Sequence, residues 1–285
     1  IFFDPTPRYM TKARDIGNFV HKDPPQLPYI YALCILNSYG DQALDQNNPY
    51  IGNPTQEQFA EFYKPQFVSL LSYAVDMALH AAWYQKWCVS RTLRPEFYAF
   101  LVNQQLTAVF DSGLNADVLN SVAVDYIFSL NEQINGFGAG TFLLPQAYPE
   151  GCPLHPSYPA GHATVAGAAV TMLKAFFNEN FVIPSPVEPN GDGTGLVPYI
   201  GDPLTIGGEL NKLGANIAVG RNMAGVHYRS DAHESMILGE QVAIHILEEI
   251  ACTWNIDFPQ GFSLTKFDGT VVNIGAKKRI QLLPI

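Results

Sequence analysis

Residues 155–176 read HPSYPAGHATVAGAAVTMLKAF, where a rigid polar segment runs directly into an apolar run. Its first eight residues hold two histidines, two prolines and a glycine. After Gly161, apolar residues recur at the spacing of one face of a helix. The residues that carry this periodicity are Val165, Ala168, Ala169, Met172 and Phe176. The stretch therefore predicts a helical domain in which one helix begins at a constrained loop of histidines.

The same periodicity predicts further helices. Residues 56–87 read as one helix with a kink or break at Pro65, and Pro95 requires the chain to leave helical geometry near Arg94. Asp231 with Glu234 precedes another periodic apolar run and predicts a helix start there.

Two further regions of the chain depart from this helical pattern. Residues 183–206 are rich in proline and glycine, which predicts an extended surface loop. Near the end, Asp268-Gly269 between two alternating runs predicts a small β-hairpin. We therefore expect an all-α fold, a helical bundle with long loops and a C-terminal hairpin, formed as one domain over residues 1–285.

Composition excludes several classes of function. With 47% hydrophobic and 15% charged residues the chain is globular, and its net charge of −10 argues against nucleic-acid or anionic-membrane partners. No apolar run reaches membrane-spanning length, which favours a soluble protein in a compartment that the sequence leaves open. The four cysteines have no CxxC spacing, so a zinc site is not expected, and three disulfide pairings stay open. The start, IFFDPTPRYM, is neither an initiator methionine nor a signal peptide and suggests part of a longer chain.

Three distant segments carry the residues suited to chemistry. They read KWCVSRTLRP (residues 86–95), HPSYPAGH (155–162) and RNMAGVHYRSD (221–231). Together they supply an ammonium, guanidinium groups, imidazoles and a glycine amide at a helix start, which is the donor set that a multiply charged oxyanion needs. Each piece alone has an ordinary explanation: a solvated lysine, a loop arginine before proline, or a capped helix start. The ordered combination is much more specific than its parts.

This combination resembles the vanadium-dependent haloperoxidase and acid phosphatase superfamily, whose motifs are Lys…Arg-Pro, Pro-Ser-Gly-His and Arg-x5-His-x3-Asp. Similarity to the algal-type bromoperoxidases is closer, in stretches such as WYQKW, LLPQA, HPSYPAGHAT, ELNKL and LGE. It runs from about residue 8 to the carboxyl end and resembles their catalytic half, with their amino-terminal half absent.

The resemblance implies a role for each cofactor-binding residue. His227 would bond the vanadium of vanadate through Nε2. Lys86, Arg94 and Arg221 would neutralise the oxygens, and the Gly161 amide would add a hydrogen bond.

Other residues would act around the cofactor. His162 would hold the apical oxygen and act as acid and base, and His155 would tune peroxide protonation or halide access. Asp231 would orient a pocket partner or only cap its helix, and Trp83 would line the pocket or pack in the core. Ala160 stands where the family usually has serine, which removes a hydrogen bond to a charged oxygen worth about 1.5–3 kcal/mol.

The activity implied is oxidation of halide by hydrogen peroxide to hypohalous acid, which halogenates small organic acceptors. His155 favours bromide and iodide over chloride. Relatives form oligomers, so a homo-oligomer is expected. Structural calcium occurs in some relatives, but residues 46–61 hold few carboxylates and do not support it here.

Two rival functions use the same residues. An acid phosphatase would bind phosphate in the same cationic group and form a phosphohistidine at His227. The extra His155 and the longer Lys-x7-Arg-Pro spacing argue against it. A non-catalytic anion-binding domain is the second rival, opposed by the presence of all three cations and both key histidines.

Overall fold

A computed structural model describes residues 6–254, 258 and 260–275. Its α-helices are α1 (Ala13–Phe19), α2 (Leu27–Ser38), α3 (Lys64–Tyr84), α4 (Pro95–Leu106), α5 (Ala116–Leu119), α6 (Val122–Asn135), α7 (Gly161–Phe176), α8 (Ile206–Met223) and α9 (Arg229–Ala251). Two antiparallel ribbons complete the fold: β1 (Val187–Pro189) with β2 (Leu196–Pro198), and β3 (Phe262–Thr265) with β4 (Val271–Ile274). The expected all-α class and the C-terminal hairpin are both confirmed.

Helix α7 is the centre of the bundle. Every residue from Ala163 to Phe176 is buried, and the helix packs mainly against α9, with α3 and α8 on its other sides. The contact with α9 is close because glycines face backbone: a Cβ at Gly239 would lie 2.0 Å from the Thr164 carbonyl oxygen, and one at Gly167 would lie 2.1 Å from that of Met236. This packing fixes the start of α7 relative to the start of α9.

The helix expected over residues 56–87 is shorter, and its proline has another role. Residues 56–58 have no regular structure, residues 59–63 form bends, and α3 begins at Lys64 with Pro65 in its first turn. The expected kink or break at Pro65 is therefore wrong. Proline lacks an N–H that the first turn leaves unpaired in any case, so it starts this helix without disrupting it.

The end of α3 has an unusual geometry. A π-helical turn, Gln85–Ser90, continues it and contains Lys86. The chain then leaves helical geometry, and Arg94 is extended (φ −74°, ψ 154°) immediately before Pro95 opens α4. The sequence correctly placed this break before the proline.

The proline- and glycine-rich segment 183–206 is mostly exposed, as expected of a surface loop, but it contains the short β1–β2 ribbon that its composition did not predict. Helix α9 begins at Arg229, two residues before Asp231 of the predicted pair. Oδ2 of Asp231 accepts the backbone N–H of the N-cap residue Tyr228 at 3.1 Å.

One hydrophobic cluster includes residues from Val20 near the start to Ile274 in β4. The assignment of residues 1–285 to one domain stays a prediction. Among the described residues no helix has the length and apolarity to cross a membrane.

A candidate oxyanion site at the start of helices α7 and α9

Lys86 is buried beneath the loop before α7. Its side chain leaves the π-helical turn, and Nζ donates hydrogen bonds to the carbonyl oxygens of Pro156 (2.6 Å) and Ser157 (3.0 Å). Burial, together with the nearby positive charge of Arg94, lowers the pKa of Lys86 to about 7. The ammonium is therefore held where an additional negative charge would stabilise it.

Arg94 connects the second and third sequence segments. Nη1 donates to the carbonyl oxygen of Val226 at 2.7 Å and lies 2.9 Å from Nε2 of His227. Nε donates to the carbonyl oxygen of His155 at 2.9 Å, and Nη2 lies 3.0 Å from Nδ1 of that histidine. Burial lowers the pKa of Arg94 to about 10, so the group stays cationic at neutral pH.

His227 is held in one tautomer. Arginine can only donate, so Nε2 of His227 accepts from Arg94 and Nδ1 carries the proton. Nδ1 donates to Oδ2 of Asp231 at 2.9 Å, and the same oxygen accepts the hydroxyl of Ser157 at 2.5 Å. Burial lowers the pKa of His227, while the three donors to Asp231 lower the pKa of that carboxyl against the opposite effect of its burial. A neutral imidazole with its Nε2 lone pair directed away from Asp231 is the form that binds a metal centre.

Arg221, in the last turn of α8, supplies the third cation. Nη1 donates to the carbonyl oxygen of Val20 at 2.7 Å and to the hydroxyl of Tyr148 at 3.3 Å, and the guanidinium lies 5.3 Å from the centre of the Tyr148 ring. Its charge contributes to lowering the pKa values of Lys86 and Arg94, so the three cations share one region. Nε of Arg221 is buried and donates to no acceptor within the described part of the chain.

The start of α7 lies against α9. Ala160 is the N-cap residue, and its N–H donates to the hydroxyl of Ser235 at 2.8 Å. Gly161 opens the helix, whose first turn offers unpaired N–H groups and a dipole that favour anions. His162 follows, with Nε2 2.8 Å from Oδ1 of Asp23.

His155 and Trp83 stand at the edge of the group. Because Nδ1 of His155 accepts from Arg94, the ring is neutral, and burial together with the charges of Lys86 and Arg94 lowers its pKa to about 4. The Trp83 ring centre lies 5.1 Å from that of His155, and the side chain is 40% exposed. Trp83 thus lines the approach to His155 and is not a core residue.

The structure brings together the residues named from sequence, with different degrees of contact. Lys86, Arg94, His155 and His227 are joined by hydrogen bonds directly or through the 155–157 backbone. Arg221 lies near enough for its charge to contribute to lowering the pKa of Lys86. Asp231 both caps α9 and pairs with His227, so the two roles left open for it coexist. His162 contacts Asp23.

Four participants were not found from sequence: Asp23, Tyr148, Ser157 and Ser235. Ser157 lies inside the quoted histidine segment, which was a usable signal. Asp23 is 139 residues from His162 along the chain, and no local pattern marks it. Within the described residues, no group of three or more histidine, cysteine, aspartate or glutamate side chains could hold a metal ion by itself. All four cysteines are free thiols.

Comparison with known proteins assigns this arrangement to a family. Residues 139–255 match the family model described as the VCPO second helical-bundle domain. The chain is 41% identical over 287 aligned residues to the vanadium-dependent bromoperoxidase of Corallina officinalis, and 36% identical over 277 to that of Ascophyllum nodosum. These alignments cover 95% and 94% of this chain but 48% of each relative, so the chain spans about half the length of the curated relatives it matches.

A solved structure agrees with the sequence matches. The homohexameric second vanadate-dependent bromoperoxidase of Ascophyllum nodosum superposes with a TM-score of 0.86 at 28% identity, over 96% of this chain and 50% of that chain. Sequence and fold agree with the motifs around Lys86, His155 and His227, and the chain belongs to the family of vanadium-dependent haloperoxidases.

Proposed function

We propose that this chain forms the catalytic part of a vanadate-dependent haloperoxidase that oxidises bromide and iodide with hydrogen peroxide to hypohalous acid. The observation that carries the proposal is the group of three buried cations around a neutral histidine whose Nε2 accepts from Arg94. The relatives are named vanadium-dependent bromoperoxidases, which supports this activity over the phosphatase alternative.

The residues present fit vanadate. Among the residues that the structure describes, none accepts from the buried Nε of Arg221. Lys86, Arg94 and Arg221 are all at least 93% buried. Such a concentration of positive charge is unfavourable unless an anion balances it. His227 Nε2 would provide the bond to vanadium, while the three cations and the first N–H groups of α7 would hold the oxygens.

The protein's part in the reaction follows from its own groups. Bound vanadate would supply Lewis acidity that activates hydrogen peroxide toward halide. His162 would move the peroxide proton, with Asp23 orienting its ring. Lys86, held by the carbonyl oxygens of Pro156 and Ser157, would stabilise charge that develops on oxygen. His155, kept neutral by Arg94, would present Nε2–H toward incoming halide or peroxide.

The test compares metal retention with activity. After loading with vanadate and dialysis, elemental analysis should find close to one vanadium per wild-type chain and none in His227→Ala. Of these two vanadate-treated proteins, only wild type should brominate a phenol dye when bromide and hydrogen peroxide are added. Hydrolysis of a phosphate monoester without vanadate would support the phosphatase, and neither activity would support the non-catalytic rival.

We also propose that the chain assembles as a homo-oligomer. The support is the related bromoperoxidase of Ascophyllum nodosum, which is described as a homohexamer. Light scattering on the purified chain tests this, and a monomeric mass at micromolar concentration would contradict it.

A further inference from the structure

A cleft of about 540 Å³ opens beside the candidate vanadate site. It lies between the segment after α3, the start of α4 and the loop 152–156. Arg94 and His155 form part of its wall, so the cleft borders two residues already placed at the site. A molecule held there would lie next to the place where halide is oxidised.

Exposed aromatic rings line this cleft. Trp87, Phe97 and Phe100 are 48%, 47% and 43% exposed, although large aromatic side chains are among the most favourable to bury. The Phe97 and Phe100 rings lie 5.9 Å apart between centres, and Trp87 stacks on Trp83 at 6.3 Å and 14°. Rings that wall a concave surface favour a ligand that itself carries a flat apolar ring.

The charges of the cleft favour an anion. Its charged lining residues are Arg91, Arg94 and Glu96. The Glu96 carboxylate accepts the N–H of Cys152 at 2.7 Å. Arg91 is exposed, and its Nε donates only to the carbonyl oxygen of Trp87 at 3.1 Å among the hydrogen bonds of the described residues. Two cations against one carboxylate, in a chain of net charge −10, make a locally positive surface.

The backbone at Arg91 connects this residue to the candidate site. Arg91 has φ 47°, in the left-handed region that non-glycine residues adopt uncommonly. Its N–H donates to the carbonyl oxygen of Lys86 at 3.1 Å and ends the π-helical turn. The guanidinium is thus attached to the same turn that carries Lys86.

We propose that this acceptor cleft, formed by Arg91, Trp87, Phe97 and Phe100, binds an anionic aromatic acceptor, a phenolate or aromatic carboxylate, for halogenation at the adjoining site. The inference rests on the proposed function. The ring would contact the three aromatic side chains and its acidic oxygen would pair with Arg91. Hypohalous acid would transfer its halogen to a ring carbon, the carbon–hydrogen bond would break, and the released proton would combine with hydroxide to give water.

Binding can be tested without vanadate. The probe is 4-hydroxybenzoate titrated into the purified chain by calorimetry, with benzyl alcohol as the uncharged comparison. Wild type should bind 4-hydroxybenzoate more tightly than benzyl alcohol. The double variant Phe97→Ala with Phe100→Ala should weaken binding about tenfold, since it removes two of the three ring contacts. Arg91→Gln should remove the preference for the anion.

Matched variants control for non-specific effects. Phe59→Ala, at a phenylalanine that is 81% exposed outside the cleft, and Arg14→Gln, at an exposed arginine of α1, should bind as wild type does. No measurable binding to wild type, or equal binding by Arg91→Gln, overturns the proposal. Arg91 is exposed, so that variant keeps the test decisive even if the double variant does not fold.

Competition separates this inference from the proposed function. Vanadate-loaded enzyme with bromide and peroxide should brominate a mixture of 4-hydroxybenzoate and unsubstituted phenol with a ratio shifted several-fold toward 4-hydroxybenzoate, compared with reagent hypobromous acid. An identical ratio would contradict a bound acceptor. If wild type oxidises no bromide, the proposed function fails, and the titration without vanadate still decides whether the cleft binds aromatic anions.

Discussion

Nε2 of His162 lies 2.8 Å from Oδ1 of Asp23, which joins the first turn of α7 to the segment between α1 and α2. The carboxylate side chain is only 4% exposed. A buried carboxylate that pairs with a ring nitrogen fixes the orientation of an imidazole. Asp23 is therefore a positioning residue for the group that we propose moves the peroxide proton.

Replacing Asp23 with asparagine tests this role. Asp23→Asn should lower kcat for bromide oxidation about 10- to 100-fold with little change in halide KM, because His162 loses its charged partner. A matched control is Asp76→Asn, which alters an exposed aspartate 3.8 Å from His80 on α3. A kcat equal to that of wild type would show that Asp23 does not position His162 for the reaction.

Asp231 should control vanadate affinity through His227. Its Oδ2 accepts from Nδ1 of His227 and from the hydroxyl of Ser157. Asp231→Asn places an amide among these donors, so we expect vanadate affinity to fall about 10- to 100-fold, measured by equilibrium dialysis. Glu234→Gln changes an exposed carboxylate on the same helix and should bind vanadate normally. Equal affinity in both variants would leave Asp231 only as the cap of α9.

Ala160 offers a gain-of-affinity test. It is the buried N-cap of α7 and has no side-chain hydrogen bond. Ala160→Ser adds a hydroxyl that can reach an oxyanion held at this helix start, and a hydrogen bond to a charged group contributes about 1.5–3 kcal/mol. Vanadate should therefore bind at least about tenfold more tightly. Serine also caps helices well, so Tm should be measured without vanadate, where a rise reports the cap alone. Weaker vanadate binding would contradict the expected contact.

The lowered pKa of Lys86 predicts how the free energy of unfolding depends on pH in the absence of vanadate. Its pKa is lowered to about 7 in the folded chain, chiefly by burial, against about 10.4 in an unfolded chain. Between these values the unfolded state binds one more proton, so the free energy of unfolding rises with pH, by up to about 1.4 kcal/mol per pH unit. Lys86→Met lacks this dependence. Its stability relative to wild type should be highest at pH 7 and below and decline toward pH 10.

Urea unfolding of both proteins between pH 6 and pH 10 measures this difference. The exposed Lys64→Met, at the start of the same helix, should parallel wild type. Parallel curves for Lys86→Met and wild type would show that Lys86 keeps its ordinary pKa in the folded chain.

The sequence predicted those parts of the fold and site that local patterns determine. Helix α7 follows from apolar periodicity after Gly161, and the β3–β4 hairpin from Asp268-Gly269. The kink expected at Pro65 is wrong because a proline disrupts a helix interior but is favourable in the first turn, and periodicity alone does not locate the start of a helix.

Contacts between segments that are distant in the sequence could not be predicted without the structure. The pairing of Asp23 with His162 depends on how α1 and α2 pack against the bundle, which no spacing in the chain encodes. The same holds for the tautomer of His227, since Arg94 comes to it from 133 residues away. The motifs identified the donors, while their hydrogen-bond partners follow from tertiary packing.

The close contact between α7 and α9 gives a last prediction, about stability and site geometry together. A Cβ at Gly239 would lie 2.0 Å from the backbone oxygen of Thr164 and 2.7 Å from the nitrogen of Ala168. Backbone cannot move aside as a flexible side chain can, so Gly239→Ala must separate the two helices. We expect the free energy of unfolding, measured with urea, to fall by about 1–3 kcal/mol.

Gly191→Ala provides the matched control, since a Cβ there meets no atom within 4 Å. Because α7 carries His162 and α9 carries Asp231, the folded fraction of Gly239→Ala should also bind vanadate more weakly. Wild-type stability in Gly239→Ala would mean that the helices are not in contact at this glycine. Wild-type vanadate affinity with reduced stability would mean that helix spacing does not control the site.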